Sequence, residues 1–225
     1  MAQSLQMNEI TTPRWRDQFV RRLFILWPVK AFGTSAFMTL FFWGYFSILN
    51  ANAGTAYEMP KLWLDDWIGF SPIAFPVYAS LWIYVSLPPA LMPSFRRLAL
   101  FGVWVSALCL FCLGIFWLWP TCTPAVHIDW SQHPGLAMIK GIDAGGNACP
   151  SLHVGSAVFS AMWLQHLLSE INAPRWILVG NIFFCLAIAW STIATLQHVT
   201  LDVVAGAAIG AAFGYLSLWH MCGKR

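Results

Sequence analysis

Charge is scarce in this chain. Only 9% of its 225 residues are Asp, Glu, Lys or Arg, where soluble domains carry about a quarter. That shortage excludes a fold clothed in solvated side chains, and a net charge of +3 is too slight for a nucleic-acid surface. Internal repeats, low-complexity linkers and breaks in composition are also missing, which argues against a solenoid or a second domain. No small-residue cleavage pattern comes early enough for a secretory signal peptide, so none is expected.

Apolar residues fill the space, at 59% of the chain. Runs over 31–50, 73–92, 98–119, 151–169, 176–195 and 200–220 reach or approach the ~20 residues that a spanning helix needs. The expectation is an all-α integral membrane bundle of six transmembrane helices. It forms one catalytic domain, 31–225, behind a cytoplasmic or interfacial segment, 1–30. Lysine and arginine accumulate in cytoplasmic loops. With both termini inside, Arg14, Arg16, Arg21, Arg22, Lys30, Arg96, Arg97, Arg175, Lys224 and Arg225 fall on the inner side, leaving Lys61 and Lys140 outside. Two long outer loops follow, 51–71 and 120–149.

Local signals refine this scheme. Arginines mixed with Phe19, Leu23, Phe24 and Trp27 suit either a helix in the headgroup region or an ordinary helix start. Pro76, Pro88 and Pro89 predict a kinked or short second span. Gly206, Gly210 and Gly214, four apart, allow close helix approach, to a neighbour in the chain or to a second protomer. Trp63, Trp67, Trp117, Trp119 and Trp176 read as an interfacial belt. Cys122 and Cys149 bracket the second outer loop, where a disulfide and free thiols are both open. Gly145 and Gly146 suit a mobile hinge. His127, Asp129 and His133 read as polar loop or lid residues rather than metal ligands.

The chemistry concentrates at two helix starts. His198 and Asp202 are four apart and share a helix face, so the carboxylate can fix the imidazole's tautomer and free its other nitrogen as a nucleophile. An aspartate in a membrane span is costly and points to function. Pro150 and Ser151 open the fourth span with free backbone N–H groups, which receive an anion such as phosphate. His153, about one turn in, can protonate a leaving oxygen. His166 and His220 lie too deep to share this site.

These residues resemble the type 2 phosphatidic acid phosphatase superfamily of membrane lipid phosphatases and phosphotransferases. Pro150-Ser151-Leu152-His153 matches its Pro-Ser-Gly-His motif, with leucine for glycine. Ser191, Thr192, His198 and Asp202 match its Ser-Arg, His, Asp motif, with threonine for arginine. The first motif, a lysine followed by Arg-Pro, has no counterpart. The resemblance implies that His198 attacks phosphorus to form a phosphohistidine, Asp202 orients it and His153 protonates the departing alcohol. Ser151, Lys140 and Thr192 are the phosphate-binding candidates, and neither cofactor nor metal is implied.

The expected substrate is a membrane lipid phosphate or diphosphate, met at the extracytoplasmic face of a bacterial inner membrane, with the bilayer and no nucleic acid as partner. Three alternatives stay open. One is a phosphodiester headgroup transferase like the sphingomyelin and inositol phosphorylceramide synthases, which "HVTLDV" resembles. Another is a non-catalytic lipid-binding or scrambling protein. The third is bis-histidine haem binding by His153 and His198, which leaves Asp202 unexplained.

Overall fold

A computed structural model describes residues 14–52, 54–143 and 145–222. Its helices are α1 (Trp15–Phe24), α2 (Trp27–Ala51), α3 (Trp63–Ile68), α4 (Phe75–Ala79), α5 (Leu81–Ala90), α6 (Phe95–Leu118), α7 (Pro134–Asp143), α8 (Leu152–Glu170), α9 (Arg175–Ala194) and α10 (Thr200–Cys222). Five stretches are long and apolar enough to cross a membrane: Trp27–Ala51, Pro72–Ala90, Phe95–Leu118, Arg175–Ala194 and Thr200–Met221. Large apolar side chains such as Val103, Leu110, Leu118, Phe183 and Leu186 point outward. That is the pattern of a bundle solvated by lipid tails rather than water.

The fourth expected span, α8, is not among the five, and its position explains why. More than half of it is buried, including Val154, Ala157, Phe159, Trp163 and Leu167, with α5, α6, α9 and α10 packed around it. A helix that faces protein can carry polar groups whose partners are supplied by its neighbours. Accordingly Trp163 Nε1 donates to Ser217 Oγ on α10 at 2.9 Å. Asn181 Nδ2 on α9 donates to the Ala161 carbonyl at 3.0 Å, while its Oδ1 accepts from Tyr84 of α5 at 2.8 Å.

The second span is broken at Ser80 rather than at its prolines. Pro76 sits in the first turn of α4, where a missing N–H does no harm. Ser80 turns its hydroxyl onto the Val77 carbonyl at 2.6 Å, competing with the backbone ladder. Pro88 and Pro89 instead close α5, and Leu91 N–H caps it on the Leu87 carbonyl at 3.0 Å.

Small residues bring α8 and α10 together. A Cβ on Gly206 would collide with the carbonyl oxygen of Ser151, and one on Gly210 with that of Gly155. Their four-residue spacing therefore serves a contact within this chain. At the far end, Glu170 of α8 accepts from Arg97 Nη1 at 2.7 Å and lies 3.2 Å from Arg22 Nη2, tying α6 and α1 to the bundle. Lys30, 5% exposed, donates to the Arg22 and Ala90 carbonyls at 2.6 and 2.7 Å. It thereby caps the C-terminal ends of both α1 and α5.

The two long loops, 51–71 and 120–149, are braced where they meet. A two-residue parallel pair, β1 (Tyr57–Glu58) and β2 (Thr121–Cys122), joins them. Gly145 adopts φ +71°, and its carbonyl takes Thr123 N–H at 2.7 Å, so this glycine makes a turn tied back to β2. Cys122 and Cys149 are both free thiols. Burial, then the Asp202 carboxylate, pushes the Cys149 thiol up to about 11, so the thiolate that disulfide chemistry needs is scarce at neutral pH. Asp65 of α3 is buried between two tryptophans of the interfacial belt, accepting from Thr200 N–H and hydroxyl at 2.7 and 2.6 Å and from Leu62 N–H at 2.7 Å. An acid 135 residues away in sequence thus caps the start of α10, leaving Trp63 and Trp67 exposed beside it.

Two outcomes are expected from this packing. Gly210→Ala forces α8 and α10 apart and destabilises the fold by about 1–3 kcal/mol, read as a lowered midpoint of thermal unfolding in detergent. Asp65→Ala leaves buried donors unpaired at a cost of about 1–3 kcal/mol, whereas Asp66→Ala, at an exposed neighbour, leaves the midpoint unchanged.

Candidate active site

The α8–α10 crossing places two histidines, 45 residues apart in sequence, ring to ring. His153 Nδ1 lies 3.2 Å from His198 Nε2. On the outer side of His153, Nε2 lies 2.9 Å from the Tyr78 hydroxyl of α4. Behind His198, its Nδ1 lies 3.5 Å from Asp202 Oδ2. Tyr78, His153, His198 and Asp202 form one chain of polar atoms across three elements and a loop.

Chemistry sets the direction of that chain. Asp202 Oδ2 already accepts from Val199 N–H at 3.0 Å, reaching back over the first turn as in a capping box. A carboxylate only accepts, so His198 Nδ1 carries the proton that faces it. In a neutral ring Nε2 is then a bare lone pair, and His153 Nδ1 must be the donor to it. His153 Nε2 is left as an acceptor, which the Tyr78 O–H fills. Three neighbours thereby fix two tautomers. At 3.5 Å the His198–Asp202 contact is longer than a formed hydrogen bond. Neither His198 Nδ1 nor Asp202 Oδ1 has another partner among the described residues. Such contacts tighten when a site is loaded.

Local backbone holds His198 in place. α9 ends at Ala194, and the Thr192 carbonyl accepts N–H groups from both Gln197 and His198, at 2.9 and 3.1 Å. Leu196 takes a left-handed φ of +57° in this turn, a conformation that costs a side-chain-bearing residue roughly 1–2 kcal/mol. Lys140 of α7 donates to the Leu196 carbonyl at 2.5 Å, which puts a cation beside the turn that carries His198.

The expected phosphate binders are placed differently from one another. Ser151 is fully buried; its Oγ accepts from Val154 N–H at 3.3 Å and caps α8. Thr192 is also fully buried, with its hydroxyl on the Ala189 carbonyl at 2.8 Å, so it contributes to the site through its backbone. Lys61 is exposed. His166 lies 3.2 Å from Glu170 at the opposite end of α8, and His220 rests against Trp104. No cluster of three potential metal ligands occurs among the described residues. Asp129 is engaged by Ser131 and Gln132, and hydrogen bonds from the Ser131 hydroxyl first, then Gln132, hold its carboxyl below the usual range. The His133 ring packs edge-on against Phe70.

Two participants escaped sequence reasoning. Tyr78 lies in a span with no motif to mark it, and Asp65 looked like one of several charges among surface tryptophans. Only the tertiary contacts distinguish them.

A cavity of about 790 Å³ opens from the histidine pair. It runs between α2 on one side and α5, α6 and α8 on the other, with His153 and His198 at one end and Lys30 at the other. Along α2 it extends from Lys30 to Phe46, about 24 Å at the helical rise per residue. Its walls are mainly Phe, Leu, Val, Met and Trp.

No curated protein and no solved structure matches the chain. The family model described as the PAP2 superfamily matches residues 49–216. That interval covers most of the chain and contains His153, His198 and Asp202, so the chain belongs to the PAP2 superfamily.

Proposed function

We propose that this protein is a membrane lipid phosphatase or phosphotransferase working through a phosphohistidine. The observation that carries the reading is the convergence of His153 Nδ1 and His198 Nε2 at the mouth of an apolar cavity. His198 Nε2 presents its lone pair to phosphorus, with Asp202 behind it to stabilise the charge that forms on the ring. A phosphoryl group enters between the two rings and breaks their 3.2 Å contact. His153 then faces the leaving oxygen as general acid, and water or an acceptor alcohol takes the phosphoryl group from His198.

Phosphoryl transfer depends mostly on positioning and charge, and the chain lacks the cations of the superfamily's first and third motifs. What replaces them is the first turn of α8, where the positive end of the helix dipole lies beside His153. Ser151 fixes that turn as its cap. Lys140 adds positive charge through its position at Leu196. Thr192 acts by holding the N–H of His198.

The apolar cavity suits a substrate that keeps its hydrocarbon in the membrane while its phosphate reaches the histidines. The same reading makes α8 the fourth of six spans. Its site end then lies on the extracytoplasmic side, and the end bearing Arg22, Arg97 and Glu170 faces the cytoplasm with both termini. Supporting this orientation, among the described residues Arg14, Arg16, Arg21, Arg22, Lys30, Arg96, Arg97 and Arg175 belong to segments at that end, against Lys61 and Lys140 at the other.

The test is phosphate release from a panel of lipid monophosphates and diphosphates in detergent, with and without acceptor alcohols. Wild type turns over at least one of them, and His198→Ala falls to background. His153→Ala loses about 10²–10⁴-fold, the usual worth of a general acid. Rapid quench under alkaline conditions recovers label on His198. Folded protein that releases or transfers no phosphate from any of them would refute the reading and favour a non-catalytic lipid-binding role.

A further inference from the structure

We infer that Tyr78 is a positioning residue that supplies the leaving-group proton through His153, an inference that rests on the phosphoryl-transfer reading above. Tyr78 is 2% exposed, and its hydroxyl meets His153 Nε2 at 2.9 Å. The two rings are 5.2 Å apart, and Trp82, one turn further along, closes the His153 ring edge-on at 6.0 Å. Among the described residues the titratable groups facing His153 are Tyr78 from α4 and His198 from the α9–α10 turn. Asp202 of α10 stands behind His198, and Lys140 of α7 is held at the Leu196 carbonyl.

The donor directions make this more than packing. His153 Nδ1 holds the proton that points toward the reacting centre, and Nε2 is bare with a phenol donating to it. A neutral imidazole that gave up its only proton would become an imidazolate, which is unfavourable. Tyr78 removes that obstacle. As His198 Nε2 uses its lone pair to bond phosphorus, the bond from phosphorus to the lipid oxygen breaks and its electron pair leaves on that oxygen. His153 Nδ1 passes its proton to this oxygen while Nε2 takes the phenolic proton, so His153 stays neutral and Tyr78 becomes phenolate. The positive charge on the phosphorylated His198 ring offsets the phenolate.

Dephosphorylation reverses the relay. The water oxygen bonds phosphorus, the nitrogen–phosphorus bond breaks, and its electron pair returns to His198 Nε2. One water proton goes to His153 Nδ1 as the Nε2 proton returns to Tyr78. Acid in the first step thus becomes base in the second, and the chain is restored.

The relay has a signature in pH and leaving group. An ordinary imidazolium is spent above about pH 6.5, whereas an ordinary phenol keeps its proton to about pH 10. An alkyl alcohol needs a proton to depart, and p-nitrophenolate does not. The experiment measures kcat and KM against pH for full-length wild type, Tyr78→Phe and His198→Ala, using phosphatidic acid, a polyprenyl phosphate and p-nitrophenyl phosphate. At about pH 8.5, where imidazolium is scarce, Tyr78→Phe is expected to lose at least about 10²-fold in kcat on the lipid phosphates, with KM little changed. The deficit shrinks as the pH falls through the imidazole range, and turnover of p-nitrophenyl phosphate is little affected. Difluorotyrosine at position 78, a more acidic phenol, restores turnover and moves the alkaline fall to lower pH.

Equal loss on alkyl and aryl substrates at every pH, or no loss at all, would overturn the relay while leaving the phosphohistidine reading intact. Wild type without His198-dependent product from any substrate would instead bring down both.

Discussion

Gly206 and Gly210 on α10 lie directly against the carbonyl oxygens of Ser151 and Gly155 on α8, and every feature of the site depends on that close crossing. Where lipid tails are as apolar as leucine, helices gain little from hiding apolar surface from each other. Close backbone approach, with its dense dispersion contacts and buried hydrogen bonds, holds them together instead. The crossing brings the first turn of α8 beside the first turn of α10, and Ser151 N–H donates to the Asp202 carbonyl at 2.9 Å across it. His153 and His198 can meet because nothing larger than glycine separates the two backbones.

The same economy of groups recurs around the histidines. Asp202 caps the helix it belongs to and faces His198 with the same oxygen. Thr192 ends α9 and anchors His198 through one carbonyl. Lys140 and Asp65, from two separate connecting segments, each clamp the short stretch between α9 and α10. A left-handed Leu196 is tolerated there because its neighbours on both sides are pinned. Side chains that hold the fold are therefore largely those that aim the reactive atoms, so stability and geometry at this end cannot be varied independently.

Much of the site was legible because chemistry leaves tight local spacing. His198 and Asp202 sit one helical turn apart, and Pro150, Ser151 and His153 sit within four residues at a helix start. Such patterns survive in one dimension. Tyr78 and Asp65 left no comparable trace: a tyrosine in an apolar helix is ordinary, and so is an aspartate among interfacial tryptophans. Their roles exist only through partners 75 and 135 residues away. Gly145 left its turn unmarked because a glycine's backbone freedom serves a turn and a hinge alike, and the bond from Thr123 appears only in three dimensions.

Composition and periodicity by themselves determined that this chain is a helical membrane protein, since so little charge and so many long apolar runs admit no other solvent for its surface. Motif spacing also singled out His153 and His198, which the fold brings ring to ring. The tertiary structure decided the rest. It made α8 the inner helix, so its polar face is matched by neighbours instead of lipid. It turned the glycine repeat inward onto α8. It also lined up Tyr78, His153, His198 and Asp202 in one row, where a carboxylate at the far end can only accept and sets the direction in which the rings donate.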